Sequence, residues 1–289
     1  MRSKLYWFLS KFDGLIRRNY SDRLRVLAYH KVPDERAFEE QIIYLKSHYN
    51  IISIPELKRH IYDKADLPKN PLLITFDDGD ISVIEKGLPI LKKHSIESCL
   101  FIITGLINTS NDVWISSVEQ KEMKNGKSYQ DARKVVSLFK SMSNRDRVVK
   151  MRDYPEVDKQ QLNTDDLKKL QKNGMYIGNH THTHPMLDKC SSQEIMKEMN
   201  SSKQVFDELE LPGYNIFAYP NGNADDNTNK TLIDANIDFI FLFDHKINPA
   251  VLDHHNISRI RVDSDNKLAE FKAKVSGLHP LMFNLKNNN

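Results

Sequence analysis

Residues 72–79 read Leu-Leu-Ile-Thr-Phe-Asp-Asp-Gly, so an apolar run passes directly into two carboxylates and a glycine. The run is almost continuously apolar, which is typical of a strand that is covered on both faces. Gly79 permits a sharp turn, and at such a turn Asp77 and Asp78 can both reach one locus. Asp-Asp-Gly alone also suits an ordinary turn or a helix cap, so its meaning depends on the rest of the chain.

Similar short, apolar and β-branched runs recur along the sequence. The seven predicted strands are Arg25–His30, Leu72–Phe76, Ser98–Thr104, Met175–Gly178, Ile216–Tyr219, Asp238–Phe243 and Ile257–Val262. The helical patterns that separate several of them are Ala37–His48, Pro55–Tyr62, Ile84–His94, Asp165–Asn173 and Ser192–Leu209. Strands that alternate with helices predict a parallel α/β sheet. Seven such strands indicate a barrel, which need not be complete.

Two regions depart from this alternation. Residues 108–161 are rich in lysine and acidic residues and contain no convincing strand, which predicts an inserted helical region in the barrel of residues 25–289. Residues 1–24 form a separate arm. Its apolar residues with helical spacing are Leu5, Phe8, Leu9, Phe12, Leu15 and Ile16. This amphipathic helix either packs on the floor of its own domain or makes peripheral contact with an anionic membrane, with Trp7 and Phe8 inserted.

The composition narrows the class of protein. A chain of 289 residues, 39% of them hydrophobic, suits one large domain and excludes a disordered or disulfide-built protein. Its 42 basic and 39 acidic residues nearly balance, so the net charge gives no sign of a nucleic-acid-binding protein. The positive excess lies near the N-terminus, where residues 1–31 hold eight basic and two acidic residues. No run suits a membrane span or a secretory signal, which predicts a cytoplasmic protein that is at most peripheral to the inner membrane.

Ligand-capable groups also follow other predicted strands. His30 ends the first, and residues 179–185 read Asn-His-Thr-His-Thr-His-Pro after the fourth. Fully extended, His180 and His184 would lie roughly 13 Å apart, so the chain must curl if both bind one ion. Because the carboxyl ends of parallel strands meet on one face, a strand-end aspartate can join them. Two histidines and one aspartate would leave coordination positions of a metal ion open for water and substrate. Surface histidines, or a loop that binds metal adventitiously, could have the same sequence.

The chain resembles a known family at these places. Residues 75–79 resemble the first signature of the polysaccharide deacetylases, the NodB homology domain or carbohydrate esterase family 4. Residues 180–187 are similar to the second signature and residues 217–222 to the third. Residues 26–32 resemble the branch that acts on N-acetylglucosamine exopolysaccharides. The resemblance implies an α/β fold, a distorted (β/α)7 barrel, here with the inserted helical region and the N-terminal amphipathic helix.

The resemblance also implies roles for individual residues. A divalent metal ion, most often zinc, would be held by Asp78, His180 and His184. Asp77 would be the general base, and Thr181 would steady the histidine loop. Tyr219, Pro220 and the backbone N–H of Asn221 would face the substrate and its oxyanion.

This sequence departs from the family pattern in its third signature. Ala218 stands where many members have an arginine that orients the base, so Arg259 or Arg261 is expected to supply that cation. The general acid is expected to be His30, at a strand end, or His254, which lies in a Leu-x-His sequence like the motif that often supplies this acid in the family. The less favoured candidates are His279, His245 and His182.

The activity implied is hydrolysis of the acetamido group of an N-acetylated amino sugar, with release of acetate. The partner would be an N-acetylated glycan or a lipid-linked or nucleotide-linked amino sugar. Two alternatives stay open: a metal-dependent amidase or deformylase on a small or lipid-linked substrate, and a catalytically silent glycan-binding barrel. An iron oxygenase also uses two histidines and one carboxylate, but the tandem aspartates disfavour it.

Overall fold

In the computed structural model, which describes residues 6–8 and 10–277, the strands form one parallel sheet. The strands are β1 (Arg25–Tyr29), β2 (Asn50–Ile51), β3 (Pro71–Asp78), β4 (Ser98–Ile102), β5 (Met175–Asn179), β6 (Ile216–Ala218), β7 (Phe239–Phe241) and β8 (Ile260–Arg261). Their spatial order is β7-β6-β5-β4-β3-β1-β8, with β2 paired to β3 beside this path. Every ladder between named strands is parallel.

The two ends of this order meet. A parallel bridge joins Phe241, at the end of β7, to Ile257, just ahead of β8. The N–H of Leu242 donates to the carbonyl of Ile257 at 2.8 Å, and the N–H of Ile257 donates to Ile240 at 2.9 Å. The sheet therefore curls into a distorted barrel, and the α/β barrel predicted from the sequence is confirmed.

Helices surround the sheet. They are α1 (Asp13–Asn19), α2 (Glu35–His48), α3 (Ile54–Tyr62), α4 (Leu88–Lys93), α5 (Trp114–Lys124), α6 (Tyr129–Ser141), α7 (Asn144–Met151), α8 (Thr164–Lys172), α9 (Ser192–Glu208), α10 (Asp226–Asp234) and α11 (Leu268–Ser276). A π-helical turn, Val83–Gly87, leads into α4. Polar side chains cap the N-termini of several helices. At α3, Ser53 and Glu56 form a reciprocal capping box, which satisfies N–H groups that the helix itself leaves unpaired.

The inside of the curled sheet is apolar up to the strand ends. One buried cluster takes alternate residues from several strands, among them Leu73, Cys99, Phe101 and Phe241. Side chains alternate across a strand, so the face that carries Leu73 also carries Thr75 and then Asp77. The core therefore ends in a carboxylate at the carboxyl edge of the sheet.

Between β4 and β5 the chain forms α5, α6 and α7, in the stretch where the sequence predicts an inserted helical region. The helices share a buried cluster, Trp114, Val118, Val136, Phe139 and Met186. Met186 follows the histidine tract, so the inserted helices pack against the loop that carries the histidines. The extents predicted for arm and barrel stay predictions.

The N-terminal arm is held through its polar side. Asp13 in α1 is buried and accepts a hydrogen bond from the Tyr44 hydroxyl. Trp7, Phe8 and Leu15 are 58%, 54% and 63% exposed, so much of the predicted apolar face points outward. Of the other positions of that face, Phe12 is exposed, Ile16 is half-buried, and Leu5 and Leu9 lie outside the described residues.

The strands differ from the predictions in their number and in their bounds. The pair of residues that forms β2 was missed because two residues show no periodicity. The sixth and seventh predicted strands shorten to Phe239–Phe241 and Ile260–Arg261, because only a few residues there find ladder partners.

Among the described residues, no helix combines the length and apolar character that crossing a membrane requires.

Candidate active site

A cleft of about 450 Å³ opens at the carboxyl ends of the strands. The strand ends and the loops that follow them contribute His30, Asp77, Asp78, His180, His184, Tyr219, Asn221, Phe243 and Arg261. The inserted helices and the residue ahead of them contribute a second wall, which consists of Val113, Ile115, Glu119, Tyr129, Arg133 and Lys140. The polar groups that the sequence places after separate strands thus meet in one concavity.

Asp78, His180 and His184 form a cluster with the geometry of a metal site. Their ligand atoms all lie within 4.8 Å of one another, and Oδ1 of Asp78 is 3.4 Å from Nε2 of His180 and 3.6 Å from Nε2 of His184. Metal–ligand bonds of about 2.0–2.1 Å in a tetrahedron would place ligand atoms about 3.3–3.4 Å apart. Oδ1 of Asp78 is buried and has no hydrogen-bond partner among the described residues. The residues therefore fit a divalent ion.

The two histidines turn their Nε2 atoms towards the carboxylate of Asp78. Nδ1 of His180 lies 2.8 Å from the carbonyl of Ala218, and a carbonyl can only accept, so Nδ1 carries the proton. The lone pair of Nε2 is then left for a metal ion. Burial lowers the pKa of His184 to about 3, which keeps this imidazole in the form that binds a metal.

The histidine loop curls through two left-handed residues, Thr181 (φ 70) and His184 (φ 57). Oγ1 of Thr181 accepts the N–H of His184 at 2.9 Å, and Oδ1 of Asn179 accepts the N–H of Thr181 at 2.9 Å. The carboxylate of Glu198 in α9 accepts the N–H groups of two further loop residues, at 2.9 and 2.8 Å. This network brings the histidines together, and Thr181 is one of its members.

Asp77 forms a buried, bidentate ion pair with Arg259. The two guanidinium nitrogens lie 2.6 and 2.9 Å from the two carboxylate oxygens, and 2% of Asp77 and none of Arg259 is exposed. Burial raises the pKa of Asp77, but the charge of Arg259, the nearby histidines and the hydrogen bonds from Arg259 together outweigh burial and hold this pKa below its ordinary value. Of the two arginines expected to supply the missing cation, Arg259 is the one in contact with Asp77, whereas Arg261 lies at the rim beside Asp263.

The structure separates the histidine candidates for a general acid. His30 lines the cleft, with its ring 5.8 Å from that of Phe243. His254 lies elsewhere: its carbonyl accepts the N–H of Ile240, and its ring is 5.7 Å from Phe239, at the opposite end of β7. His254 is therefore not among the described residues that line the cleft, although its Leu-x-His sequence matches the family motif.

The less favoured histidines do not replace His30. Nδ1 of His182 lies 3.0 Å from the Thr104 hydroxyl, outside the cleft lining. His245 packs its ring against Phe243 at 5.2 Å and is not part of the lining either. His279 lies outside the described residues.

Of the three residues in the third signature that are predicted to face the substrate, two line the cleft. Tyr219 and Asn221 line it, although the Tyr219 hydroxyl donates to Oδ1 of Asn229 at 2.6 Å. Pro220 is buried behind them. Asn221 is exposed, has a left-handed backbone (φ 59), and accepts a hydrogen bond from Lys140.

The inserted helices also form part of the site, which no sequence motif predicted. Nε1 of Trp114 donates to the carbonyl of His184 at 2.9 Å, and the Arg147 guanidinium lies 4.8 Å from the centre of the Trp114 ring. Lys140 reaches the cleft from α6. A tryptophan at the start of a polar region was the one available signal; nothing in the sequence marks Lys140 among its many lysines.

Comparison with known proteins agrees with this geometry. The family model described as polysaccharide deacetylase matches residues 64–240, more than half of the chain. The chain belongs to the polysaccharide deacetylase family. As a member, it is a hydrolase of amide bonds in acetylated sugars. The resemblance stated from the sequence motifs is confirmed.

Curated relatives and solved structures are similar to this chain. A Staphylococcus aureus protein named poly-β-1,6-N-acetyl-D-glucosamine N-deacetylase is 27% identical over 245 residues, which cover 84% of this chain and 71% of that protein. A Staphylococcus epidermidis protein of that name is 25% identical and covers 80% and 68%. The Streptococcus pyogenes deacetylase PplD matches with a TM-score of 0.63 at 20% identity, over 88% of this chain and 98% of that one. IcaB from Ammonifex degensii gives 0.63 at 18% identity, over 88% and 97%.

Proposed function

We propose that the protein is a metal-dependent N-deacetylase that hydrolyses the acetamido group of N-acetylglucosamine units in an exopolysaccharide. The observation that carries this proposal is the meeting of two groups in one cleft: the Asp78–His180–His184 cluster and the Asp77–Arg259 pair. The staphylococcal relatives, which are named for a poly-β-1,6-linked polymer, support such a polymer as the substrate.

In this mechanism Asp77 acts as the general base. Arg259 keeps its carboxylate ionised and fixes its orientation, so Asp77 can take a proton from the attacking water. A bound divalent ion would supply the Lewis acid that polarises the amide carbonyl and acidifies a water molecule. The backbone N–H of Asn221 donates to the developing oxyanion. His30, directly after β1, gives its proton to the departing amine.

We propose zinc as the metal ion. Two imidazole nitrogens and one carboxylate oxygen form a donor set common at catalytic zinc sites, where a fourth position stays open. Metal analysis of the purified protein, followed by chelation and reloading with zinc, cobalt or manganese, tests the identity. Full activity with manganese alone would contradict zinc.

The activity is tested by acetate release. Purified protein is incubated with a β-1,6-linked N-acetylglucosamine oligomer, with small acetylated and formylated amides, and with each of these after chelation. Acetate release from the oligomer that chelation abolishes supports the proposal. Faster cleavage of small amides would favour the amidase alternative, and metal binding without any acetate release would favour the silent glycan-binding barrel.

We also propose that the N-terminal arm makes peripheral contact with an anionic membrane. Trp7, Phe8 and Leu15 are exposed while Asp13 anchors α1 to the barrel, and Nζ of Lys11 lies 3.8 Å from the centre of the Trp7 ring. Aromatic side chains beside basic ones suit the interface of an anionic bilayer. The cytoplasmic location expected from the sequence stays a prediction.

Substitution tests the arm better than deletion does, because deletion would also remove the buried Asp13. Trp7→Ser with Phe8→Ser should lower binding to vesicles that contain anionic lipid and leave catalysis unchanged. Binding equal to that of the parent would return the arm to a packing role.

A further inference from the structure

The inserted helices hold the loop that follows β6. Nζ of Lys140, in the last turn of α6, donates to Oδ1 of Asn221 at 2.5 Å. The neighbouring Phe139 is buried and stacks on Trp114, with ring centres 6.4 Å apart, so the end of α6 is fixed against the body of the protein. Lys140 therefore extends from a rigid support and not from a free helix end.

Lys140 is half-buried, and among the described residues no carboxylate lies within salt-bridge distance of it. Burial lowers its pKa, and the nearby charge of Arg133 adds to this effect. A partly desolvated ammonium group is costly unless its hydrogen bonds are good. Its side-chain partner is the amide of Asn221.

Asn221 needs to be held in place. Its backbone is left-handed (φ 59, ψ −7), a conformation that asparagine tolerates better than most residues. Its amide nitrogen donates to Oδ1 of Asn223 at 3.0 Å, and Asn223 in turn lies 3.4 Å from the Asp188 carboxylate. Lys140 holds the other end of the same amide. The direction of the Asn221 backbone N–H is therefore set from both sides.

We propose that Lys140 is a positioning residue that fixes the Asn221 loop and thereby aims the backbone N–H of Asn221 at the oxyanion of the reaction. This inference rests on the proposed function, since the oxyanion belongs to that mechanism. Loss of a donor to an oxyanion costs about 10²–10³ in kcat, so a displaced donor should cost somewhat less, about 10- to 100-fold.

The kinetic test compares Lys140→Met with Lys140→Arg and with the control Lys134→Met, an exposed lysine on the same helix. Lys140→Met should lower kcat by about 10- to 100-fold with KM changed by less than about twofold. Lys140→Arg, which keeps a charged donor, should restore most of kcat, and the control should match the parent. A rise in KM at constant kcat would show that Lys140 contacts substrate, which would overturn the proposal.

A double-mutant cycle asks whether Lys140 acts through Asn221. Asn221→Gly removes the acceptor but still allows a positive φ. If Lys140 only positions this loop, Lys140→Met should cause no further loss in the Asn221→Gly background. An equal, additive loss in both backgrounds would mean that Lys140 acts elsewhere, and would overturn the proposal.

Hydrogen exchange gives a readout that needs no substrate. In Lys140→Met, amides in residues 219–223 should exchange at least several-fold faster than in the parent, while Lys134→Met leaves them unchanged. Equal exchange in Lys140→Met and the parent would overturn the positioning role. A parent protein that releases no acetate would refute the proposed function, whereas the exchange result would still decide the role of Lys140.

Discussion

Replacing Arg259 with methionine should test the Asp77–Arg259 pair more sharply than any other single change. Arg259 donates two hydrogen bonds to Asp77, of 2.6 and 2.9 Å, and both side chains are buried. Removal of one partner from a buried ion pair costs about 3–5 kcal/mol in unfolding free energy, because the other charge is left uncompensated. One pKa unit corresponds to about 1.4 kcal/mol, so the pKa of Asp77 should rise by about two units or more.

The pH dependence of this loss has a defined sign. In the parent the pKa of Asp77 is below its unfolded value, so its contribution to stability is present above that value and is lost as pH falls through the folded pKa. In Arg259→Met the folded pKa lies above the unfolded one, so the variant gains stability as pH falls. The difference in unfolding free energy between parent and variant should be largest near neutral pH and should shrink towards pH 4.

Denaturant unfolding of the chelated proteins between pH 4 and 8 measures this difference. The acid limb of kcat/KM, measured at saturating metal, should move to higher pH in the variant. Two controls separate charge from packing: Arg259→Lys keeps a cation, and Arg259→Met combined with Asp77→Asn removes the orphaned charge. The double variant should be more stable than Arg259→Met alone. A double variant no more stable than Arg259→Met, or an unmoved acid limb, would refute the reasoning.

Three further changes have defined outcomes. His184→Ala should abolish tight metal binding, as measured by metal analysis after dialysis; metal content equal to that of the parent would remove His184 from the ligand set. Trp114→Phe keeps the ring but leaves the buried carbonyl of His184 without its donor, so the free energy of unfolding should fall by about 1–3 kcal/mol and metal affinity should drop. His30→Gln should lower kcat by about 10²–10⁴-fold with the metal content unchanged, whereas an unchanged rate would exclude His30 as the acid.

Local sequence patterns were sufficient to predict the strand and the loop that carry the central residues of the site. The apolar run before Asp77 and Asp78 predicted a buried strand, and its alternation puts Asp77 on the inner face of β3. The spacing of His180 and His184 required a curled loop, which the left-handed residues supply. These features depend on neighbours in sequence, so the sequence displays them.

The rest depends on contacts between distant parts of the chain. Lys140 meets Asn221 across 81 residues, and Trp114 meets His184 across 70, so no local pattern marks either pair. The Leu-x-His sequence at His254 likewise does not reveal its position, because only the tertiary fold shows which end of β7 His254 contacts. The arm is anchored through the buried Asp13, a residue that the predicted apolar face did not include.

Acetate release by Asp77→Asn, measured together with its metal content, tests the central claim most directly. The parent should release acetate from an N-acetylglucosamine oligomer, and chelation should stop it. Asp77→Asn should keep its metal, because Asp78, His180 and His184 are intact, and should lose about 10²–10⁴-fold in turnover, because the base is gone. A variant that keeps both its metal and the parent's rate would contradict the account.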